Sequence, residues 1–160
     1  MSSEIQKEID HIIHHLQLIP HPEGGFYREV YRSPIRTESH SLATSIYFLL
    51  TSDHVSRFHR IQSDELWFHH KGNDLIVHTL SKEEGHQQHM IGSSLTETSV
   101  PQHLVKANTI FGSSVSGDTG YALVSCVVAP GFEFSEFELF TAEELLADFP
   151  EHAVIIHQLT

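Results

Sequence analysis

The sequence predicts a mainly β fold, either an antiparallel barrel or a two-sheet jelly roll, with a helix at the N-terminus and a short helix near the C-terminus. Between residues 26 and 140, short runs of strand-forming residues alternate with turn residues, which is typical of a barrel or sandwich. A capped helical stretch lies on each side of this region. The 160 residues are 39% hydrophobic, so we expect one globular domain over residues 1–160, with the helical segment 1–20 packed on the barrel.

The first predicted element is a helix over Ser3–Leu18. Apolar residues recur along it at helical spacing and form one stripe. The members of this stripe are Ile5, Ile9, Ile12, Ile13 and Leu16. Ser3 and Gln6 have the spacing of a capping box, and Pro20 ends the element.

A turn over residues 21–25 follows the helix, because Pro22 fixes φ while Gly24 and Gly25 permit unusual backbone angles. Short strands separated by turn residues come next. The candidates are Phe26–Arg32, Thr44–Thr51, Ser56–Ile61, Glu65–His70, Leu75–Leu80, His103–Val105, Ile110–Ser113, Tyr121–Ala129 and Phe132–Phe140.

The C-terminal region is predicted to form a short helix over Thr141–Phe149. Thr141 and Glu144 have capping-box spacing, and Pro150 follows the helix. The apolar tail His152–Leu159 is interpreted as one last strand.

Composition excludes several classes of partner. The formal net charge of −12 disfavours nucleic acid and anionic membranes. No apolar run approaches the ~20 residues that span a bilayer, and the N-terminal residues lack the pattern of a secretion signal. Cys126 is the single cysteine, and we expect it to be a buried core thiol in a cytoplasmic protein.

Histidine is abundant, with fifteen residues, and most of these are expected to be solvated. His11 and His15 have the spacing at which a helix can chelate a metal ion. However, His11, His14 and His15 fall opposite the apolar stripe of the first helix, so we expect them to have no chemical role.

The segment Phe58–Gly72 contains the residues that could carry chemistry. Alternation along a strand puts Glu65, Trp67 and His69 on one face. A short turn after His59 would bring its strand beside Glu65 on one barrel wall. The imidazole and carboxylate could then do acid–base work or supply two metal ligands. Alternatively, they form a hydrogen-bonded pair that only closes the barrel.

His59, Glu65 and Gly72 resemble the first motif of the cupin superfamily. The chain is similar to a family of small single-domain cupins of unassigned function, whose fold is related to dTDP-sugar epimerases. The similar blocks are His21–Glu29, Ser45–Leu50, Phe58–Trp67 and 129–139. The resemblance implies a cupin double-stranded β-helix, which is a jelly-roll barrel.

The chain departs from the metal-binding pattern of cupins, which generally combines three histidines with a glutamate. Ile61 stands where the second histidine is expected. In the second motif, over residues 105–112, Phe111 replaces the histidine and Lys106 replaces a proline. We therefore expect no cofactor, while His59, Glu65 and His69 remain the ligand set for a divalent transition metal if one binds.

Three functions stay open, and all of them place a small-molecule ligand in the barrel. The first is a metal-independent isomerase or epimerase acting on a sugar-like or nucleotide-sugar-like ligand, with His59 as base, Glu65 orienting it and Tyr47 as acid. The second is binding of a small metabolite without turnover. The third is a metal-dependent oxygenase or isomerase that uses the ligand set above.

Further residues are candidates for contact with the ligand. Trp67 offers a stacking surface, although core filling explains it equally well. Arg28 and Arg32 could recognise an anionic group or form structural ion pairs, with Glu133, Glu136 or Glu138 as the partner of such a pair. Tyr27 and His69 complete the set, and strand parity does not decide whether Tyr27 or Tyr47 faces the pocket.

The protein is expected to form a homodimer. Small barrels leave open sheet edges that can pair with another chain. The resemblance implies dimers that exchange an N-terminal strand, and Phe26–Arg32 is the candidate strand. Its side chains Phe26, Tyr27 and Tyr31 would supply apolar area at the interface.

Overall fold

The computed structural model describes residues 2–160 and contains two six-stranded sheets. The strands are β1 (Ile19–Pro20), β2 (Phe26–Arg32), β3 (Thr44–Thr51), β4 (Ser56–Arg60), β5 (Asp64–Gly72), β6 (Leu75–Ser81), β7 (Gly85–Ile91), β8 (Ser99–Val100), β9 (Gln102–Val105), β10 (Ile110–Val115), β11 (Tyr121–Ala129) and β12 (Glu138–Leu139). The α-helices are α1 (Ser3–Leu16), α2 (Ala142–Asp148) and α3 (Ala153–Gln158), and 3-10 turns cover Phe134–Glu136 and Pro150–His152.

The two sheets enclose the main core. The first sheet has the order β1-β2-β3-β11-β5-β9, and the second sheet has the order β12-β4-β10-β6-β7-β8. Neighbouring strands are antiparallel, except that the two-residue strand β8 runs parallel to β7. The predicted mainly β jelly roll with helices near both ends is therefore confirmed.

Alternation of burial explains how the strands build this core. In β5, Glu65, Trp67 and His69 are buried, whereas Leu66 and Phe68 on the opposite face are half-buried. The inner faces of both sheets contribute large apolar side chains to one cluster. It includes Phe48, Leu50, Trp67, Leu75, Val77, Ile91, Phe111 and Val124.

Helix α1 covers the outside of the first sheet. Ile9 and Ile12 are buried against Leu49 and Tyr121, so the amphipathic stripe meets the barrel as predicted. The N-cap is Ser2 rather than Ser3, because the Ser2 hydroxyl accepts a hydrogen bond from the Ile5 amide at 3.3 Å. Within residues 2–160, the structure contains no helix with the length and apolar character of a membrane span.

The prediction of a strand over His152–Leu159 is wrong. Most of this segment forms the helix α3. Its residues Ile155 and Ile156 are buried against Phe58 and Leu80 of the second sheet. A short apolar run fits a buried helix as well as a strand, so its pattern alone could not decide. The capping box at Thr141 and Glu144 that starts α2 is confirmed.

The prediction of one long strand over Phe132–Phe140 is also wrong. The segment makes a 3-10 turn at Phe134–Glu136, and β12 contributes only two residues to the second sheet. We call residues 132–137 the strap, because the segment crosses one end of the barrel. Strands β1, β7 and β8 are the ones that the sequence patterns did not predict.

Candidate functional site

A cavity of about 190 Å³ opens at the end of the barrel beneath the strap. Its wall carries seven histidine, glutamate and arginine side chains, and aromatic side chains of β2 and the strap lie beside them. The seven are His21, Glu23, Glu29, Arg32, His59, Glu65 and Glu133, and the aromatic residues are Tyr27, Phe132, Phe134 and Phe137. This composition combines an apolar wall with a few convergent polar groups, which is typical of small-molecule sites.

His59 and Glu65 both line this cavity, but they do not lie side by side on one barrel wall as expected. Strand β4, which carries His59, pairs with β10 and β12, whereas β5, which carries Glu65, pairs with β9 and β11. The two strands therefore belong to different sheets. The turn after Arg60 crosses between the sheets, so the imidazole and the carboxyl approach the cavity from opposite sides.

A third polar residue of the cavity, Glu23, comes from the turn before β2. Gly24 and Gly25 have φ values of 115° and 74°, which glycine adopts without strain. The Glu23 carbonyl accepts a hydrogen bond from the Arg57 amide at 2.7 Å, and the Arg57 guanidinium bonds to the Pro22 carbonyl. These contacts hold the turn against β4, two residues from His59.

Glu23 and His59 form a buried ion pair. The His59 Nε2 atom lies 2.9 Å from the Glu23 carboxylate, and His59 Nδ1 donates to the Arg57 carbonyl at 2.7 Å. Burial opposes the charge on both groups, but their mutual attraction outweighs it. As a result, the pKa of His59 is raised and the pKa of Glu23 is lowered from their ordinary values.

The pKa of Glu65 is shifted in the opposite direction to that of Glu23. Burial and the nearby Glu23 carboxylate raise its pKa to about 7, although the His59 imidazolium and the Cys126 thiol act in the other direction. Burial also raises the pKa of Cys126, so this residue is a buried neutral thiol that lines the cavity beside Glu65. Glu65 can therefore gain or lose a proton near neutral pH.

Arg32 lies at the mouth of the cavity in a network of ion pairs. Its guanidinium donates to Glu29 at 2.7 and 3.2 Å, to Glu133 at 3.2 Å and to the Phe132 carbonyl at 2.9 Å. This arrangement ties the strap to β2. It matches the structural interpretation of Arg32, in which Glu133 is the ion-pair partner.

Trp67 and His69 share the inner face of β5 with Glu65, yet neither lines the cavity. Trp67 is 1% exposed and lies in the core, in edge-to-face contact with Phe48 and Phe111. His69 lies further along the strand, where its ring nitrogens bond to the Ser93 hydroxyl at 2.7 Å and the Asn73 carbonyl at 2.8 Å. Strand parity was sufficient to predict the face but not the depth within the barrel.

Tyr27 and Tyr47 lie on opposite faces of the first sheet. Tyr27 lines the cavity, and the centroid of its ring lies 4.5 Å from that of the His21 ring. Tyr47 packs on the outer face with α1, and Arg28 is exposed with its guanidinium 3.5 Å from the Leu16 carbonyl. The structure therefore places neither Tyr47 nor Arg28 at the cavity. His11, His14 and His15 are exposed on α1, away from the sheet.

The ligand set proposed from the sequence for a metal ion does not come together. His59 and Glu65 reach the cavity, but both nitrogens of His69 are engaged elsewhere. In residues 2–160, no group of three or more His, Cys, Asp or Glu side chains has a geometry that could hold a metal ion. Ile61 and Phe111 add no donor atom, so these residues do not fit the family's metal pattern.

Glu23 is the site residue that sequence reasoning did not select. Residues 21–25 were interpreted as a turn, and periodicity gives no information about side chains in turns. A carboxylate directly before two glycines is a signal for a charged group held by a tight turn. His21, whose Nδ1 accepts from the Glu23 amide at 3.1 Å, lies in the same turn.

The jelly-roll topology and the polar cavity at one end of the barrel define a cupin-fold protein. In agreement, residues 10–140 match the family described as Cupin superfamily (DUF985). The chain belongs to this family, as its sequence motifs indicated. An uncharacterized protein of Saccharomyces cerevisiae, YML079W, is 26% identical over 173 residues, which cover 89% of this chain and 80% of the yeast protein.

Solved structures show the same architecture. Protein SO0799 from Shewanella oneidensis is 43% identical, with a TM-score of 0.90 over 94% of this chain and 96% of that one. A hypothetical protein from Leishmania major is 36% identical, with a TM-score of 0.89 and coverage of 94% and 97%. An oxalate decarboxylase variant from Bacillus subtilis is 15% identical with a TM-score of 0.59, covers 88% of this chain and 37% of its own, and shares the fold alone.

Proposed function

We propose that this protein binds a small polar ligand in the barrel cavity and transfers a proton to or from it. The observation that carries the proposal is the meeting of Glu65 with the Glu23–His59 ion pair on the wall of one cavity. A carboxyl that exchanges its proton near neutral pH faces an imidazolium whose counter-ion is fixed. Such pairs of groups with opposite protonation behaviour are typical of acid–base sites.

Each group has a distinct role in this proposal. Glu65 is the acid–base residue, because its pKa of about 7 lets it both accept and donate a proton near neutrality. His59 stays protonated and favours negative charge on a ligand oxygen through its positive charge alone, because its two ring nitrogens are bonded to Glu23 and to the Arg57 carbonyl. Glu23 is a positioning residue that fixes the orientation and charge of His59. Tyr27, which faces the cavity in place of Tyr47, is the tyrosine within reach of a ligand.

Proton transfer next to a carbonyl is the reaction that these roles support best. A carbon acid beside a carbonyl loses its proton to the Glu65 carboxylate, and the positive charge of the His59 imidazolium favours the developing oxyanion without a hydrogen bond to it. Return of the proton to the neighbouring carbon gives isomerisation, and protonation of the same carbon on its opposite face, with the Tyr27 hydroxyl as the acid, gives epimerisation. This chemistry needs no group beyond the side chains described.

The experiment combines binding and hydrogen exchange. Protein-observed ¹H–¹⁵N NMR with small neutral, anionic and cationic hydroxy-carbonyl compounds should identify a compound that shifts the amides of Glu65 and the strap. That compound is then incubated in D₂O with a small, substoichiometric amount of the protein. We expect deuterium at one carbon, at a rate that falls by a factor on the order of 10² in Glu65→Gln.

Glu138→Gln is the matched control, since Glu138 pairs with Arg60 and lies outside the cavity wall. It should exchange deuterium at the wild-type rate. Binding without exchange would support the metabolite-binding alternative over catalysis. Failure of every compound to shift the cavity amides would contradict the proposed function.

A further inference from the structure

The charges on the cavity wall are compensated within the wall itself. Glu23 neutralises His59, and both ring nitrogens of His59 are engaged. The Arg32 guanidinium makes four hydrogen bonds, three to carboxylate oxygens and one to a carbonyl. On the part of the wall that the structure describes, His59 and Arg32 therefore each have a carboxylate partner already.

The carboxyl groups add a repulsive field for anions. Even with Glu65 neutral, the carboxylates Glu23, Glu29 and Glu133 outnumber the cations His59 and Arg32 on the wall. A phosphate or carboxylate in the cavity would lie among like charges without a counter-ion, in a poorly hydrated site. Nucleotide sugars and sugar phosphates are therefore poor ligands for this cavity.

A cationic ligand fits the cavity no better than an anionic one. Glu29 and Glu133 are both paired with Arg32, and Glu23 is paired with His59. Within residues 2–160, Glu65 is the wall carboxyl without an ion-pair partner, and its neutral form persists to about pH 7. In that form it donates one hydrogen bond and accepts others, which suits a hydroxyl or a carbonyl.

The shape and the lining point to the same class of ligand. The cavity volume of about 190 Å³ is below the range of about 300–1,000 Å³ that drug-sized ligands occupy. The strap residues Phe132, Phe134 and Phe137 present rings that can cover the C–H face of a small ring compound. Hydrogen-bonding groups of His21, Tyr27 and Glu65 are spread over the remaining wall.

We infer that the ligand is an uncharged polyhydroxyl compound of monosaccharide size, without a phosphate, carboxylate or nucleotide. This inference rests on the proposed function, because it names the class of compound that the same cavity binds. Selectivity against anions comes from Glu29 and Glu133, which occupy the Arg32 guanidinium. Removing both of these partners should convert Arg32 into a free anion-binding group.

The test uses matched pairs of probes and the full-length protein. Neutral aldohexoses, aldopentoses and D-fructose are titrated beside their phosphate esters, their uronic acids and D-glucosamine, and the shifts of cavity amides are recorded by NMR. We expect at least one neutral sugar to bind at least tenfold more tightly than its charged counterparts. Tighter binding of a phosphate, an acid or the amine would overturn the inference but leave the proposed function intact.

A variant tests the cause of the selectivity. Glu29→Gln combined with Glu133→Gln should increase the affinity for sugar phosphates at least tenfold, while Glu138→Gln should not change it. An unchanged phosphate affinity in the double variant would overturn the role assigned to Arg32. If the neutral sugars do not bind, the inference fails, and if compounds of every charge class also fail to bind, the proposed function fails with it.

Discussion

Glu65 is a buried carboxyl whose ionisation costs free energy, because burial and the Glu23 carboxylate oppose its negative charge. Its pKa of about 7 in the folded protein lies above the ordinary value of 4.5. The folded state therefore holds this proton more tightly than the unfolded chain does. The contribution of Glu65 to stability is complete below pH 4.5 and decreases as the pH rises towards about 7.

Glu65→Gln should remove this pH dependence. Relative to the variant, the wild type should lose about 3 kcal/mol of unfolding free energy between about pH 4 and pH 8. Urea unfolding of both proteins across this range measures the difference. Glu138→Gln is the control and should follow the wild type, whereas a constant difference between Glu65→Gln and the wild type would contradict the raised pKa.

The Glu23–His59 pair leads to a second prediction, which concerns the pKa of His59. Glu23→Gln leaves a buried imidazole without its counter-ion, so burial then dominates and the pKa of His59 should fall below its ordinary value. Removal of one partner of a buried pair should also destabilise the fold by about 3 kcal/mol. NMR titration of the His59 ring measures the pKa.

Glu29→Gln is the matched control for this titration, because Glu29 lines the same cavity but contacts Arg32. The His59 pKa should stay raised in this variant. A His59 pKa that is equally raised in Glu23→Gln would show that Glu23 does not fix the charge of the imidazole.

At the scale of elements, local patterns predicted which face of a strand is buried but not which strands are neighbours. Alternation in β5 was sufficient to put Glu65, Trp67 and His69 on the inner face. Pairing of β4 with β10 and of β5 with β11 joins segments far apart in sequence. His59 was therefore expected beside Glu65, although it faces the cavity from the other sheet.

The turn over residues 21–25 shows a different limit of prediction from sequence patterns. Proline and glycine predicted the turn correctly, and φ is positive at both Gly24 and Gly25. The direction of the Glu23 side chain depends on the hydrogen bond from Arg57, which lies more than thirty residues away. A tertiary contact of this kind leaves no periodic signal in the sequence.

Gly24→Ala tests whether this turn positions the site. A Cβ atom at residue 24 would overlap the Val55 carbonyl oxygen, and the φ of 115° is unfavourable for alanine. We expect a loss of about 3 kcal/mol in unfolding free energy and a lower His59 pKa as Glu23 moves away. Chemical denaturation and NMR titration of the His59 ring measure these effects.

Gly117→Ala separates backbone strain from the overlap, because Gly117 has a φ of 91° but its nearest neighbour would lie 3.6 Å from the added Cβ. It should cost less stability and leave the His59 pKa unchanged. Equal costs at the two glycines would mean that close packing of the turn does not matter.

At the scale of the whole molecule, the first sheet has an open edge. Strand β1 pairs only with Phe26 and Tyr27 of β2, so the rest of β2 has no neighbour on that side within residues 2–160. Exposed apolar side chains cluster in and after this strand, namely Val30, Tyr31, Ile35 and Leu42. An edge of this kind favours pairing with a second copy of the chain.

We predict a homodimer formed through β2. Sedimentation equilibrium at micromolar concentration should give twice the monomer mass of 18.1 kDa. Tyr31→Lys combined with Ile35→Lys should shift the protein to the monomer, because charge at the edge opposes pairing. Val154→Lys, which changes an exposed apolar residue on α3, should remain dimeric. A monomeric wild type would contradict the prediction.

The proton affinity of Glu65 is the property on which the acid–base site depends most directly. Carbon-detected NMR of protein labelled at the glutamate carboxyl carbon, with Glu65→Gln used for assignment, follows its ionisation as the pH is changed. We predict one resonance that titrates with a midpoint at about pH 7 and is absent from the variant. A Glu65 midpoint near the ordinary value of 4.5 would contradict the assignment of Glu65 as the residue that exchanges a proton with the ligand.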